Sequence, residues 1–154
     1  GATLPRDLLD KMLAAKNVNV GLNMARQIYL STLDLEIHGT NPPTTAEGLQ
    51  ALVDRLRPEI SLIENPEGAN MLRSFGHLMN QYSAAYYGYL WAEVLSADMF
   101  ATCFEKDPFD AKAGKRYRDL VLAPGGVGKI LDHLTTFLGR PPSQEAFLKS
   151  RGIA

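Results

Sequence analysis

Apolar residues recur along this chain at intervals of three and four, and no window alternates convincingly at period two, so the pattern predicts helices and no strand. Leu8, Leu9, Met12 and Leu13 mark a first helix over 5–16, with Thr3 as its cap and Pro5 in the first turn, where a missing N–H costs little. Leu22, Ala25, Ile28, Tyr29, Leu33 and Ile37 form the stripe of a longer helix over 20–37, ended by Gly39 and Asn41-Pro42-Pro43. Thr44-Thr45-Ala46-Glu47 has capping-box spacing, with Thr44 reaching forward and Glu47 reaching back. That helix should stop at Arg57, because Pro58 biases its predecessor away from the helical region. Asn65-Pro66-Glu67 reads as the start of a short helix to Arg73, and 74–81 is the least regular stretch.

The longest and most apolar helical pattern covers 83–106 and stops at Asp107-Pro108. Asp110 caps a helix of about twelve residues, Pro124-Gly125-Gly126 is a loop, and further helices cover 127–138 and 143–151. No repeat, low-complexity tract or linker divides the chain. The expected fold is all-α, seven or eight helices packed as one unit over 1–154.

Composition narrows the function. Sixteen Lys and Arg against seventeen Asp and Glu leave a net charge of −1, without the basic excess of a nucleic-acid binder. No apolar run is long enough to span a membrane, and the N-terminus has no secretory pattern, so the expected location is cytoplasmic. The one cysteine, Cys103, excludes an internal disulfide; its apolar neighbours suggest a buried, inert thiol.

Three histidines raise the question of metal binding. His38, His77 and His133 stand far apart, and neither His-Glu-x-x-His nor a Glu-x-x-His pair is present, so the chain alone should hold no zinc. Gly125-Gly126-Val127-Gly128-Lys129 resembles the end of a phosphate loop. Ala123 and Ile130 break that pattern, which leaves a glycine turn opening a helix. Lys112, Lys115, Arg116 and Arg118 read as a solvated helical face.

One cluster stands out. Tyr82, Tyr86, Tyr87 and Tyr89 fall within eight residues, and on a helix Tyr82, Tyr86 and Tyr89 would share a face. Gly88 among them removes a side chain and allows close approach to the backbone. With His77 just upstream, the cluster is either a polar-tipped aromatic core or a ligand surface of hydrogen-bond donors. Periodicity does not choose between the two.

The residues themselves add a resemblance. Phe75-Gly76-His77-Leu78-x-x-x-Tyr82-x-Ala84-x-Tyr86-Tyr87-Gly88-Tyr89-Leu90-Trp91, continuing through Glu93-Val94-Leu95-Ser96-Ala97-Asp98-Met99-Phe100, looks like the substrate-binding segment of the thimet oligopeptidase/neurolysin family of zinc metallopeptidases. Gly21-Leu22-x-x-Ala25-Arg26-Gln27, Tyr117-Arg118, Leu122-x-Pro124-Gly125-Gly126, Phe137-Leu138-Gly139-Arg140-x-Pro142 and Ala146-Phe147-Leu148-x-x-x-Gly152 are similar to other parts of it.

The resemblance implies the C-terminal part of a larger helical peptidase domain acting on short peptides. His77 would bond a substrate carbonyl, Tyr86 and Tyr89 would stabilise the oxyanion, and Tyr82 and Gly88 would contact substrate. Zinc and its ligands would lie on an N-terminal half not present in this chain, which alone should be inactive. Asn80-Gln81 replaces a usual Gly-Gly, and Ser83 a common Asp, which should restrict the loop. The rival is a stand-alone helical module that binds peptides or a partner, or self-associates through an exposed apolar face.

Overall fold

The computed structural model describes residues 3–153; the expectation of one unit over 1–154 therefore reaches past the described residues at both ends. Among the described residues there are seven α-helices and no strand. They are α1 (Arg6–Ala14), α2 (Val20–Ile37), α3 (Ala46–Ser61), α4 (Gly88–Cys103), α5 (Ala111–Tyr117), α6 (Ile130–Leu138) and α7 (Glu145–Ser150). The all-α expectation holds. The chain divides into two compact units, Gly1–Tyr89 and Leu90–Ala154. The division falls inside the α4 segment, which is why no linker composition marks it.

The first unit is built on α2 and α3. Tyr29, Leu30 and Leu33 from α2 and Leu52, Val53 and Leu56 from α3 are all buried in one cluster, joined by Tyr86 from the loop before α4. These are the i, i+3 and i+4 positions of the two stripes, so amphipathic spacing carries directly into the core. α1 buries no residue and leaves Leu8, Met12 and Leu13 exposed.

Local chemistry departs from the sequence reading at several helix ends. Pro5, not Thr3, stands at the start of α1, with no side-chain cap. Thr45, not Thr44, caps α3: its backbone is extended and its Oγ1 accepts the Gly48 N–H at 3.1 Å. The cap lies one residue on, which puts Gly48 rather than Glu47 at the third helical position, so the reciprocal Glu contact is absent. α3 also runs through Pro58 to Ser61. Pro58 removes one helical hydrogen bond near the end of α3, and burial of Leu52, Val53, Leu56 and Ser61 offsets that loss. In place of a helix from Pro66 there is only a 3₁₀ turn over Met71–Arg73.

In the second unit Asp110 caps α5, accepting the N–H groups of Lys112 and Ala113 at 2.7 and 3.2 Å. A π-helical segment over Arg118–Leu122 continues α5, so the two together span the twelve residues expected. The glycine turn occupies 123–129, and α6 begins at Ile130 rather than 127, with Gly139 at φ 76° closing it. The His133 ring hydrogen-bonds the Val127 carbonyl at 2.9 Å, which fixes that turn against its own helix. Phe104, Tyr117 and Phe137 form an aromatic core with centroids 5.8–6.4 Å apart.

Asp98 is the second unit's buried polar anchor. It is 2% exposed, takes Arg140 on both carboxylate oxygens at 2.6 and 2.9 Å, and accepts the Ser143 N–H at 2.7 Å. The Arg140 guanidinium, followed by the Ser143 amide, holds its carboxyl below the usual carboxylate range against the opposing effect of burial. Arg151 and Glu93 form a further ion pair. Of the four cations read as a solvated face, Lys115 and Arg118 pair with Asp119. Arg116 instead donates to the Phe137 carbonyl and lies over the Phe137 ring. Cys103 ends α4 half-buried rather than fully buried.

Candidate functional site

The tyrosines do not share a helical face. α4 starts only at Gly88, and 80–87 forms successive turns, with Ala84 in the left-handed region at φ 57°. The expected helix from Ser83 is therefore shorter by five residues at its start. The rings nevertheless converge, by a route local periodicity could not show.

His77 is the hub. It sits in a 3₁₀ turn over Gly76–Met79, anchored by buried Leu78 and by Phe75 against the first unit's core. Its ring centroid lies 5.4 Å from Tyr82, 5.2 Å from Tyr86 and 5.9 Å from Tyr89. Tyr82 and Tyr89 stack at 5.5 Å with planes 19° apart, and Tyr86 meets Tyr89 edge to face at 5.2 Å. All four expected side chains thus belong to one aromatic group. Tyr87, 50% exposed, makes no ring contact within it.

Exposure divides the group. Tyr86 is 7% exposed and completes the core, whereas Tyr82 and Tyr89 are 41% and 42% exposed. The cluster is therefore divided: Tyr86 is a core aromatic with a polar tip, and Tyr82 and Tyr89 present exposed phenols. The Tyr89 phenol is held above its ordinary range, first by its hydrogen bond with the Tyr82 hydroxyl, then by desolvation and the nearby Tyr82 and Tyr86 phenols. It stays a neutral donor through neutral pH and beyond. Gly88 faces open space: a Cβ built there meets nothing within 4 Å.

Two α2 residues that local patterning passes over hold this loop. Asp34, wholly buried, accepts the Ala84 N–H on Oδ1 and the Tyr86 N–H on Oδ2, both at 3.0 Å. His38 Nδ1 lies 3.0 Å from the same carboxylate and 2.8 Å from the Asp34 carbonyl. About two turns before Asp34 on α2, Gln27 Oε1 accepts the Tyr86 hydroxyl at 3.1 Å. Gln27 and Asp34 stand at i and i+7 on one face, so α2 grips Tyr86 at its phenol and at its main chain. The available signal was a charged residue within the apolar stripe of 20–37, a position where an Asp needs buried donors.

The loop is also tied internally. Asn80 Oδ1 accepts the Tyr82 N–H at 3.0 Å, and the Ser83 hydroxyl donates to the Leu78 and Asn80 carbonyls at 2.8 and 2.7 Å. These Asx- and Ser-type bonds supply the physical basis for a less free loop than glycine would give.

For metal, the donor set decides. Among the described residues no group of three or more His, Cys, Asp or Glu side chains comes together, so these side chains do not fit the zinc that the resemblance implies. Also among the described residues, no helix is long and apolar enough to cross a membrane.

The chain matches the description of peptidase family M3 over residues 1–153. It is similar to saccharolysin of Saccharomyces cerevisiae, 44% identical over 162 residues, covering 99% of this chain and 22% of that protein. It is 39% identical to a thimet-like oligopeptidase of Dictyostelium discoideum, covering 97% of this chain and 22% of that protein. It is 33% identical to oligopeptidase A of Escherichia coli, covering 99% of this chain and 23% of that protein. The chain thus spans less than a quarter of the length of these relatives. With nearly every residue inside the matched region, the chain belongs to peptidase family M3, the family of zinc metallopeptidases its tyrosine segment resembles.

Proposed function

We infer that this chain is the substrate-binding part of a zinc metallo-oligopeptidase that hydrolyses short peptides, its zinc ligands lying in sequence outside these 154 residues. The observation that carries the reading is the convergence of His77, Tyr82, Tyr86 and Tyr89 into one group with two exposed phenols. Peptide hydrolysis builds negative charge on the scissile carbonyl oxygen, and a fixed neutral donor aimed at that oxygen is worth about 10²–10³ in rate. Tyr89 is the exposed candidate donor, and its phenol reaches the oxyanion by exchanging its Tyr82 partner for substrate. His77 serves a substrate carbonyl, Tyr82 contacts the peptide, and Gly88 leaves room for its main chain.

Tyr86 has a further requirement. Its hydroxyl is given to Gln27, so donation to an oxyanion means exchanging that acceptor for substrate. The exchange is economical because one hydrogen bond replaces another. We place the protein in the cytoplasm, a reducing compartment compatible with a single free cysteine.

The test uses the full-length protein with short internally quenched peptides. Tyr86→Phe should lower kcat while zinc content, read by elemental analysis, stays the same. Unchanged turnover in the variant would remove Tyr86 from the role.

A further inference from the structure

A second cavity in the first unit is lined by none of His77, Tyr82, Tyr86 and Tyr89. A cavity of about 310 Å³ is lined by Leu22, Arg26, Tyr29, Arg57, Ile63 and Met71, with Asn23, Leu30 and Ser61 completing the wall. Tyr29 is 4% exposed, and its hydroxyl is buried without a hydrogen-bond partner among the described residues. A buried hydroxyl is seldom left unpaired, so a missing acceptor is implied. The Tyr29 ring is fixed in the core cluster and does not turn away to find one elsewhere.

The surroundings name the acceptor's charge. Two guanidiniums line the same cavity, and among the described residues neither Arg26 nor Arg57 forms an ion pair with a carboxylate. Arg57 instead donates to Asn65 Oδ1 at 2.8 Å, and Asn65 in turn donates to Asp54 at 2.7 Å. Asn65 thus bridges Arg57 and Asp54, and among the described residues the other guanidinium donors of Arg57 make no hydrogen bond. The Ser61 hydroxyl is spent on the Arg57 carbonyl and does not compete. Leu22, Leu30, Ile63 and Met71 supply apolar wall, and the volume is at the small end for a ligand site.

We propose that this cavity binds a carboxylate carried on a short aliphatic stem, the carboxylate taken by Arg57, Arg26 and the Tyr29 hydroxyl and the stem by Leu22, Ile63 and Met71. Arg–carboxylate pairing supplies fork geometry, and the phenol adds one directed donor. A branched aliphatic acid and the C-terminal residue of a peptide share this chemistry.

The experiment titrates the ¹⁵N-arginine-labelled full-length protein with N-acetyl-leucine, its amide, and isovalerate, following the Arg57 Nε–H signal. The acid should give a saturable shift and the amide none. Arg57→Gln should weaken binding by roughly tenfold or more, since a bond to a charged group is lost. Tyr29→Phe should weaken it severalfold with an undiminished melting temperature, because its hydroxyl supports no other contact. Isovalerate binding as tightly as N-acetyl-leucine assigns the site to aliphatic acids, and weaker binding assigns it to peptide C-termini; both uphold the carboxylate site. Equal response to acid and amide, no saturable shift, or wild-type affinity in both variants overturns it.

Discussion

The Asp34 carboxylate accepts the main-chain N–H of Tyr86 at 3.0 Å, from a position fifty-two residues earlier in the chain. The other carboxylate oxygen takes the N–H of Ala84, the one residue of the tyrosine loop in the left-handed region. A non-glycine residue there costs on the order of 1–2 kcal/mol, and a buried carboxylate with two amide donors is what holds it. The placement of the aromatic group therefore depends on a helix far away in sequence.

Asp34→Ala should destabilise the protein by about 2–4 kcal/mol, since it strands two N–H groups, one of them on buried Tyr86. Asp34→Asn keeps one acceptor oxygen and should lose less. Urea unfolding measures both. Equal stability of Asp34→Ala and wild type would mean that the loop holds its shape without the carboxylate.

Asn80→Gly removes the side-chain acceptor for the Tyr82 N–H and adds backbone freedom. Amide exchange at Tyr82 and Ser83 should quicken, with a stability cost of about 1 kcal/mol. Exchange as slow as in wild type would show that Ser83 alone ties the loop.

Acid should loosen the second unit. Asp98 is held ionised chiefly by Arg140, so its carboxyl pKa lies lower folded than unfolded. Such a group stabilises the fold above the unfolded carboxylate range, and that contribution is lost as pH falls through the folded value. Arg140→Ala should lower stability at neutral pH, an effect moderated by solvent because Arg140 is 44% exposed, and should flatten the acid limb of a stability–pH curve. An acid limb as steep in the variant as in wild type would contradict the assignment.

Helix identity was legible because the α2 and α3 stripes are local and bury the same positions they mark. Asp110 as the α5 cap and Gly139 as the α6 stop were legible for the same reason: each acts within one turn. What local pattern could not show was set by distant partners. Apolar spacing over 83–87 suited a helix, yet Asp34 draws the Ala84 and Tyr86 N–H groups out of it. Pro58 looked like a stop, and core burial on both sides of it carried the helix past. For the site, residue types singled out His77 and the tyrosines. Only the fold divides buried Tyr86, bound to Gln27, from exposed Tyr82 and Tyr89.

The role proposed for the exposed Tyr89 phenol is donation to the oxyanion of peptide hydrolysis. Single-turnover cleavage of a short peptide by full-length Tyr89→Phe, at matched zinc content and beside a Tyr87→Phe control, tests it most directly. The rate should fall by about 10²–10³ in Tyr89→Phe and stay near wild type in Tyr87→Phe. Wild-type cleavage by Tyr89→Phe, or equal losses in both variants, would contradict it.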